Sequence, residues 1–146
     1  MRVEPITRAH VEAFVPTMEN RDELERLTGR DAVTYIAEAA EQSAYTFAGV
    51  TADGPIFIGG VRGVPHHTYG AVWMLGGPRI DRAKKFYLRA TRAQVDHMLT
   101  MFDRLFTSVD ARYPKSLRWL RWLGFTVGIP LVKADGRTVH IVEIER

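Results

Sequence analysis

The feature that most constrains this chain is a change of hydrophobic period along it. Up to residue 42 the apolar side chains recur at helical spacing. From Ala44 they follow strand patterns, and after Gly76-Gly77-Pro78 a long helical pattern returns before an apolar, strand-like stretch at 105–110. A crossover helix followed by a further strand means that the sheet must be mixed. The strands joined by short turns before that helix are antiparallel. The expected architecture is therefore an α/β (α+β) domain whose mixed, mostly antiparallel central sheet is flanked by helices.

The elements read as follows. Residues 2–7 form a short strand, and Thr7 caps a helix over 8–18 with Val11, Phe14, Val15 and Met18 on one stripe. Asn20 followed by Glu23 resembles a capping box for a second helix that Gly29 ends. A third helix over 31–42 turns Val33, Ile36, Ala37 and Ala40 inward. Strands at 44–50 and 56–64 meet at Asp53-Gly54, whose residues tolerate positive φ. The paired Gly59-Gly60 signal a bulge or a close backbone approach. A strand over 68–75 places Trp73, Met74 and Leu75 in the core on one face. A long helix over 81–103, a strand over 105–110 and a helix over 114–123 begun by Pro114 follow. Strands at 125–133 and 138–145, joined at Asp135-Gly136, close the chain.

The 146 residues suit a single domain over 1–146. Hydrophobic residues at 46% and charged residues at 25% exclude a disordered or collagen-like chain. No apolar run is long enough to span a bilayer, and no signal peptide is visible, so a cytoplasmic protein is expected. The absence of cysteine excludes disulfides, thiolate metal sites and cysteine nucleophiles.

Charge is strongly divided. Residues 1–60 hold five Arg against ten Asp/Glu, whereas residues 79–121 hold eleven Lys/Arg against four Asp. Sixteen of the twenty cations are Arg, whose planar fork matches phosphate and carboxylate oxygens. An anionic ligand is expected in the second half. The rival reading is a solvated basic face. Nucleic acid is a weaker expectation, because no helix-turn-helix, zinc finger or aromatic RNA platform accompanies Arg82, Lys84, Lys85, Arg89 and Arg92. His66-His67 lacks an evident third ligand for a metal.

The run Tyr113-Pro114-Lys115-Ser116-Leu117-Arg118-Trp119-Leu120-Arg121-Trp122-Leu123-Gly124-Phe125, entered by Val109-Asp110-Ala111-Arg112, is similar to the late helix-to-strand signature of the GCN5-related N-acetyltransferase (GNAT) superfamily. The element order agrees along nearly the whole chain, and residues 104–125 carry the match. The chain also resembles small GNAT-like proteins of short-tailed bacteriophages. The resemblance implies an acyl-CoA-dependent N-acyltransferase, using acetyl-CoA or another acyl-CoA. Its acceptor would be an amine on a small molecule or a host protein, and the acidic first helices would favour a cationic one. The alternative is a catalytically silent GNAT scaffold that serves a phage through surface contacts.

The resemblance also implies a site. Backbone groups of Met74, Leu75 and Gly76 would meet the pantetheine arm, and Trp119 would line the cleft. The family's Gln/Arg-x-x-Gly-x-Gly/Ala loop is missing, so Arg79, Arg82, Lys84 and Lys85 would hold the diphosphate together with the helix N-terminus. Leu120 stands where many members carry an acidic tyrosine. Asp110 and Tyr113 are the catalytic candidates, with His67 as a further possible base.

Overall fold

The computed structural model describes residues 1–66 and 68–146. Along the chain lie β1 (Arg2–Glu4), α1 (Arg8–Ala13), α2 (Met18–Thr28), α3 (Ala32–Gln42), β2 (Ser43–Thr51), β3 (Gly54–Arg62) and β4 (Tyr69–Gly76). A 3-10 turn (Pro78–Ala83) leads into α4 (Lys84–Met98), β5 (Arg104–Asp110), α5 (Pro114–Trp122), β6 (Thr126–Val132) and β7 (Thr138–Glu145). Among the described residues these strands form one seven-stranded sheet ordered β1-β2-β3-β4-β5-β7-β6. Among the described residues only β4 and β5 pair in parallel. No helix among the described residues is long and apolar enough to cross a membrane.

Local chemistry explains where the helices begin and end. The Thr7 hydroxyl accepts the His10 N–H, while His10 Nδ1 accepts the Thr7 N–H at 3.0 Å. With Nδ1 accepting, the ring proton sits on Nε2 and is donated to Glu4 at 2.8 Å. The first helix is shorter than its apolar stripe suggests. It stops at Ala13, and Val15, which precedes Pro16, is exposed. The second begins earlier than expected: Thr17, not Asn20, is the N-cap, and its hydroxyl accepts the Asn20 N–H at 3.2 Å. Asp31 caps α3 through the Thr34 N–H at 2.8 Å. That frame leaves Val33 exposed and buries Ile36 and Ala39.

Two cores lie on opposite faces of the sheet. The α1–α3 layer packs Val11, Phe14, Leu24, Ile36 and Ala39 against Ile58, Trp73 and Leu75. The α4/α5 layer packs Val95, Met98, Leu117 and Leu120 against Phe47, Phe57, Leu105 and Val142. Strand alternation therefore divides the expected Trp73-Met74-Leu75 group, for Met74 packs on the α4/α5 side. The close approach expected at the paired glycines is present. A Cβ on Gly59 would lie 2.7 Å from the Trp73 carbonyl oxygen, and one on Gly60 would lie 2.7 Å from that of Tyr45. The expected long helix is instead a 3-10 turn followed by α4, which ends at Met98 and leaves Phe102 free to bury itself beneath β3 and β4. At the sheet edge, β6 carries Pro130 and a pairing irregularity between Val127 and Pro130, two features that blunt an open edge.

Candidate active site

The parallel pair opens partway along. β4 and β5 pair at Tyr69↔Arg104, Gly70↔Leu105 and Ala71↔Phe106, and pairing stops there. Both strands continue, β4 to Gly76 and β5 to Asp110, so a wedge separates their C-terminal ends. The Arg104 N–H donates to the Thr68 carbonyl at 2.9 Å, which sets the even-numbered β4 residues facing β5. Met74 therefore presents its N–H and C=O to the wedge. Leu75 faces its backbone to β3, opposite Ile58. The Gly76 carbonyl accepts the Thr17 N–H at 2.9 Å, so it is already used. Of the three backbone positions expected to meet a ligand, Met74 turns both its N–H and its C=O to the wedge, whereas Gly76 has only its N–H left.

That Thr17 bond latches the α1–α2 connection onto the end of β4. It carries α2 toward the mouth of the wedge, where the Glu23 carboxyl comes near the backbone N–H of Asp110. Burial is the main cause that raises the Glu23 carboxyl from 4.5 to about 7. The Asp110 N–H opposes that rise, and the negative charges of Asp110 and Glu19 add to it. Sequence reasoning missed this residue because Asn20-x-x-Glu23 imitates a capping box. With Thr17 as the cap, Glu23 lies beyond the capping position and is free to face β5. The signal was Pro16-Thr17, a helix start one turn earlier.

The two expected catalytic residues stand beside it. Asp110 is 2% exposed and its carboxylate accepts the Arg112 N–H at 3.0 Å, an arrangement that turns the chain toward α5. Tyr113 is the N-cap residue of α5. Its phenol lies above its ordinary value, first through burial and then through the Glu23 charge, against the nearby positive charge of Arg26. Glu23, Asp110, Tyr113 and Arg26 thus form one cluster at the wedge. His67 lies outside the described residues.

The α4/α5 side of the wedge is aromatic. Tyr87 and Trp119 stack with centroids 5.6 Å apart and planes at 19°. Tyr87 also meets Phe57 edge-on at 5.2 Å, and burial pushes its phenol up. Trp119 Nε1 is buried without a hydrogen-bond partner, a donor that ordinarily finds an acceptor. Two open surface depressions lie elsewhere. One, of about 440 Å³, is lined by Asp96, Leu99, Thr100 and Arg146. The other, of about 160 Å³, lies beside Tyr35 and Arg62.

Beyond the wedge, α4 starts at Lys84 with Ala83 as its N-cap residue and no side-chain cap. Its first-turn N–H groups are therefore uncapped by side chains, and no acidic residue stands in that turn. Arg82, Lys84 and Lys85 are exposed there, and none forms an ion pair among the described residues. Arg79 is placed differently. It donates to the Asp53 carbonyl at 2.7 Å and fastens the 3-10 turn to the β2–β3 hairpin.

No family model and no curated protein sequence matches the chain. Solved structures do. A GNAT-family acetyltransferase from Bacillus anthracis superposes with a TM-score of 0.74 at 9% identity, covering 98% of this chain and 93% of its own. Ribosomal-protein-alanine N-acetyltransferase from Brucella melitensis gives 0.71 at 9% identity with both chains covered in full, at 100%. Spermidine N-acetyltransferase from Vibrio cholerae, in complex with CoA and spermine, gives 0.69 at 13% identity, covering 99% of this chain and 94% of its own. The mixed seven-stranded sheet with its parted β4 and β5 is the fold of the GNAT acetyltransferases.

Proposed function

We propose that this protein is an acyl-CoA-dependent N-acyltransferase whose coenzyme lies in the β4–β5 wedge. The observation that carries the reading is the open Met74 backbone at a wedge whose mouth holds Glu23. Three further features suit the coenzyme. Trp119 Nε1 is a buried donor in need of an acceptor. Met74 offers its C=O to a pantetheine amide. The uncapped start of α4, with Arg82, Lys84 and Lys85, offers charge-assisted bonds to a diphosphate. Arg79 is better read as a structural tie than as a diphosphate ligand.

The bound coenzyme supplies an acyl thioester. Met74 N–H would donate to its carbonyl oxygen, where negative charge develops. Glu23 would take a proton from the acceptor ammonium, since a carboxyl near 7 exchanges protons at neutral pH. Asp110 would hold the β5–α5 turn and, through its backbone N–H, the Glu23 carboxylate. Tyr113 is the hydroxyl at hand for a departing thiolate, as Leu120 has none. The negative Glu23–Asp110–Glu19 neighbourhood suits a cationic amine acceptor, small or protein-borne.

One observation favours a second reading, a silent scaffold that acts by surface contact, as a phage accessory protein would. The Tyr87–Trp119 stack walls the wedge, and entry of a pantetheine arm requires Trp119 to shift. Thermal melting with acetyl-CoA separates the two. A ligand at one hundred times its Kd stabilises by about 2.7 kcal/mol, and thiol release with a panel of polyamines and peptide amines then reports transfer. Absence of any shift at millimolar coenzyme overturns the transferase reading. A shift without thiol release for any amine leaves binding standing and overturns catalysis.

A further inference from the structure

The structure gathers two basic helices that the sequence keeps apart. α4 and α5 lie on the same face of the sheet and touch through Tyr87–Trp119 and through Arg92, whose Nη2 donates to the Trp122 carbonyl at 2.7 Å. Around that contact the two helices carry five exposed cations, Arg89 and Arg92 on α4 and Lys115, Arg118 and Arg121 on α5. None of the five has a carboxylate within 4.0 Å among the described residues. At the centre the Arg92 guanidinium lies 3.9 Å from the Trp122 ring centroid, and Trp122 is 43% exposed. The opposite face of the sheet is acidic. Residues 8–42 hold four Arg against eight Asp/Glu.

We propose that the α4/α5 face is a binding surface for single-stranded nucleic acid, a function separate from the transferase reading and independent of it. Cations at three- and four-residue spacing along a helix stand roughly 4.5–6 Å apart, a spacing suited to tracking a phosphodiester backbone. Unpaired cations keep their field for a partner instead of spending it within the fold. Arg at four of the five positions favours phosphate, which its fork meets in pairs. The exposed guanidinium–indole stack gives an unpaired base a flat π surface, which a duplex cannot use. An acidic protein surface would use the charge and leave that stack idle. The residues at the start of α4 are left to the coenzyme.

Fluorescence anisotropy with a labelled 20-nucleotide mixed-sequence RNA tests this across salt concentrations. Five phosphate contacts give a log–log slope near −3.5, at about −0.7 per contact, so affinity falls about 130-fold between 50 and 200 mM salt. Arg89→Ala/Arg118→Ala/Arg121→Ala removes three contacts, and the same change in salt then costs about sevenfold. Trp122→Ala weakens binding about fivefold to 150-fold, the range of one lost base stack. Arg8→Ala/Arg21→Ala, on the acidic layer, leaves the slope unchanged. Matched melting temperatures show that each variant is folded. The proposal is overturned if the triple variant keeps the parent slope, or if the control pair lowers it equally, since net charge then explains binding. It is also overturned if duplex RNA binds as tightly and Trp122→Ala has no effect, or if polyglutamate competes as well as RNA.

Discussion

The two helical layers that sandwich the sheet solve their charge problem in opposite ways. In the α1–α3 layer, charges are mixed and some are paired within the fold: Arg8 with Glu12 and Arg30 with Glu38. The helices of the α4/α5 layer and the turn before them hold nine Lys/Arg against two Asp, with no ion pair among the described residues. Stability alone does not call for such a division, because exposed ion pairs contribute little either way. The difference points to function. On the proposed function, the acidic layer would frame the acceptor side of the wedge and the basic layer would keep its charge for phosphate.

The largest effect that sharpens this comparison lies in the shared floor. Phe57 is fully buried and meets Phe47, Phe86 and Tyr87. Phe57→Ala should cost about 3–5 kcal/mol in urea unfolding and loosen the α4/α5 wall in particular. Chemical-shift changes that spread equally into α1–α3 would show that the layers are one core.

Glu23→Gln comes next. The folded protein keeps the Glu23 proton up to about pH 7, whereas an unfolded chain releases it near 4.5. Wild-type stability therefore falls as pH rises between those values. The Gln variant escapes that loss. It should match wild type near pH 4 and exceed it by about 1–3 kcal/mol at pH 8, after allowance for partial solvent access. Its transferase rate should also lose the rise through pH 7. Equal stability curves would place Glu23 in open solvent and remove the base.

On the acidic layer, His10→Ala removes the reciprocal cap of α1 and should cost about 1–2 kcal/mol in thermal melting. Coenzyme affinity should not change. The double variant Arg82→Ala/Lys84→Ala reverses that pattern. It should weaken acetyl-CoA binding at least tenfold by calorimetry, a loss of about 1.4 kcal/mol or more, with melting temperature nearly unchanged. Unaltered affinity would move the diphosphate away from α4. The smallest effect belongs to the exposed Arg30–Glu38 pair, whose double-mutant coupling should stay below about 1 kcal/mol.

Much of the candidate site was legible before the fold was known, and the part that was not has a local reason. The turn into α5, with Asp110 and Tyr113, could be read from Asp110-Ala111-Arg112-Tyr113-Pro114, because its hydrogen bonds are between near neighbours. Met74 was legible as part of the strand that opens, but its separation from Leu75 and Gly76 depends on which strand each backbone group faces. Glu23 was misread because a cap is a local pattern with more than one solution. Thr17 and Asn20 are both competent, and packing of Phe14 and Leu24 on the sheet selected the first.

By itself the sequence determined the order of elements, the hairpin turns, the mixed sheet and the charge division, since each rests on side-chain periods and neighbours within about four residues. The tertiary structure decided where β4 and β5 part, that Glu23 comes near Asp110, that Trp119 closes against Tyr87, and that α4 and α5 share one side of the sheet. Those outcomes join residues far apart in the chain. They follow from three-dimensional packing of side chains, which no local pattern encodes.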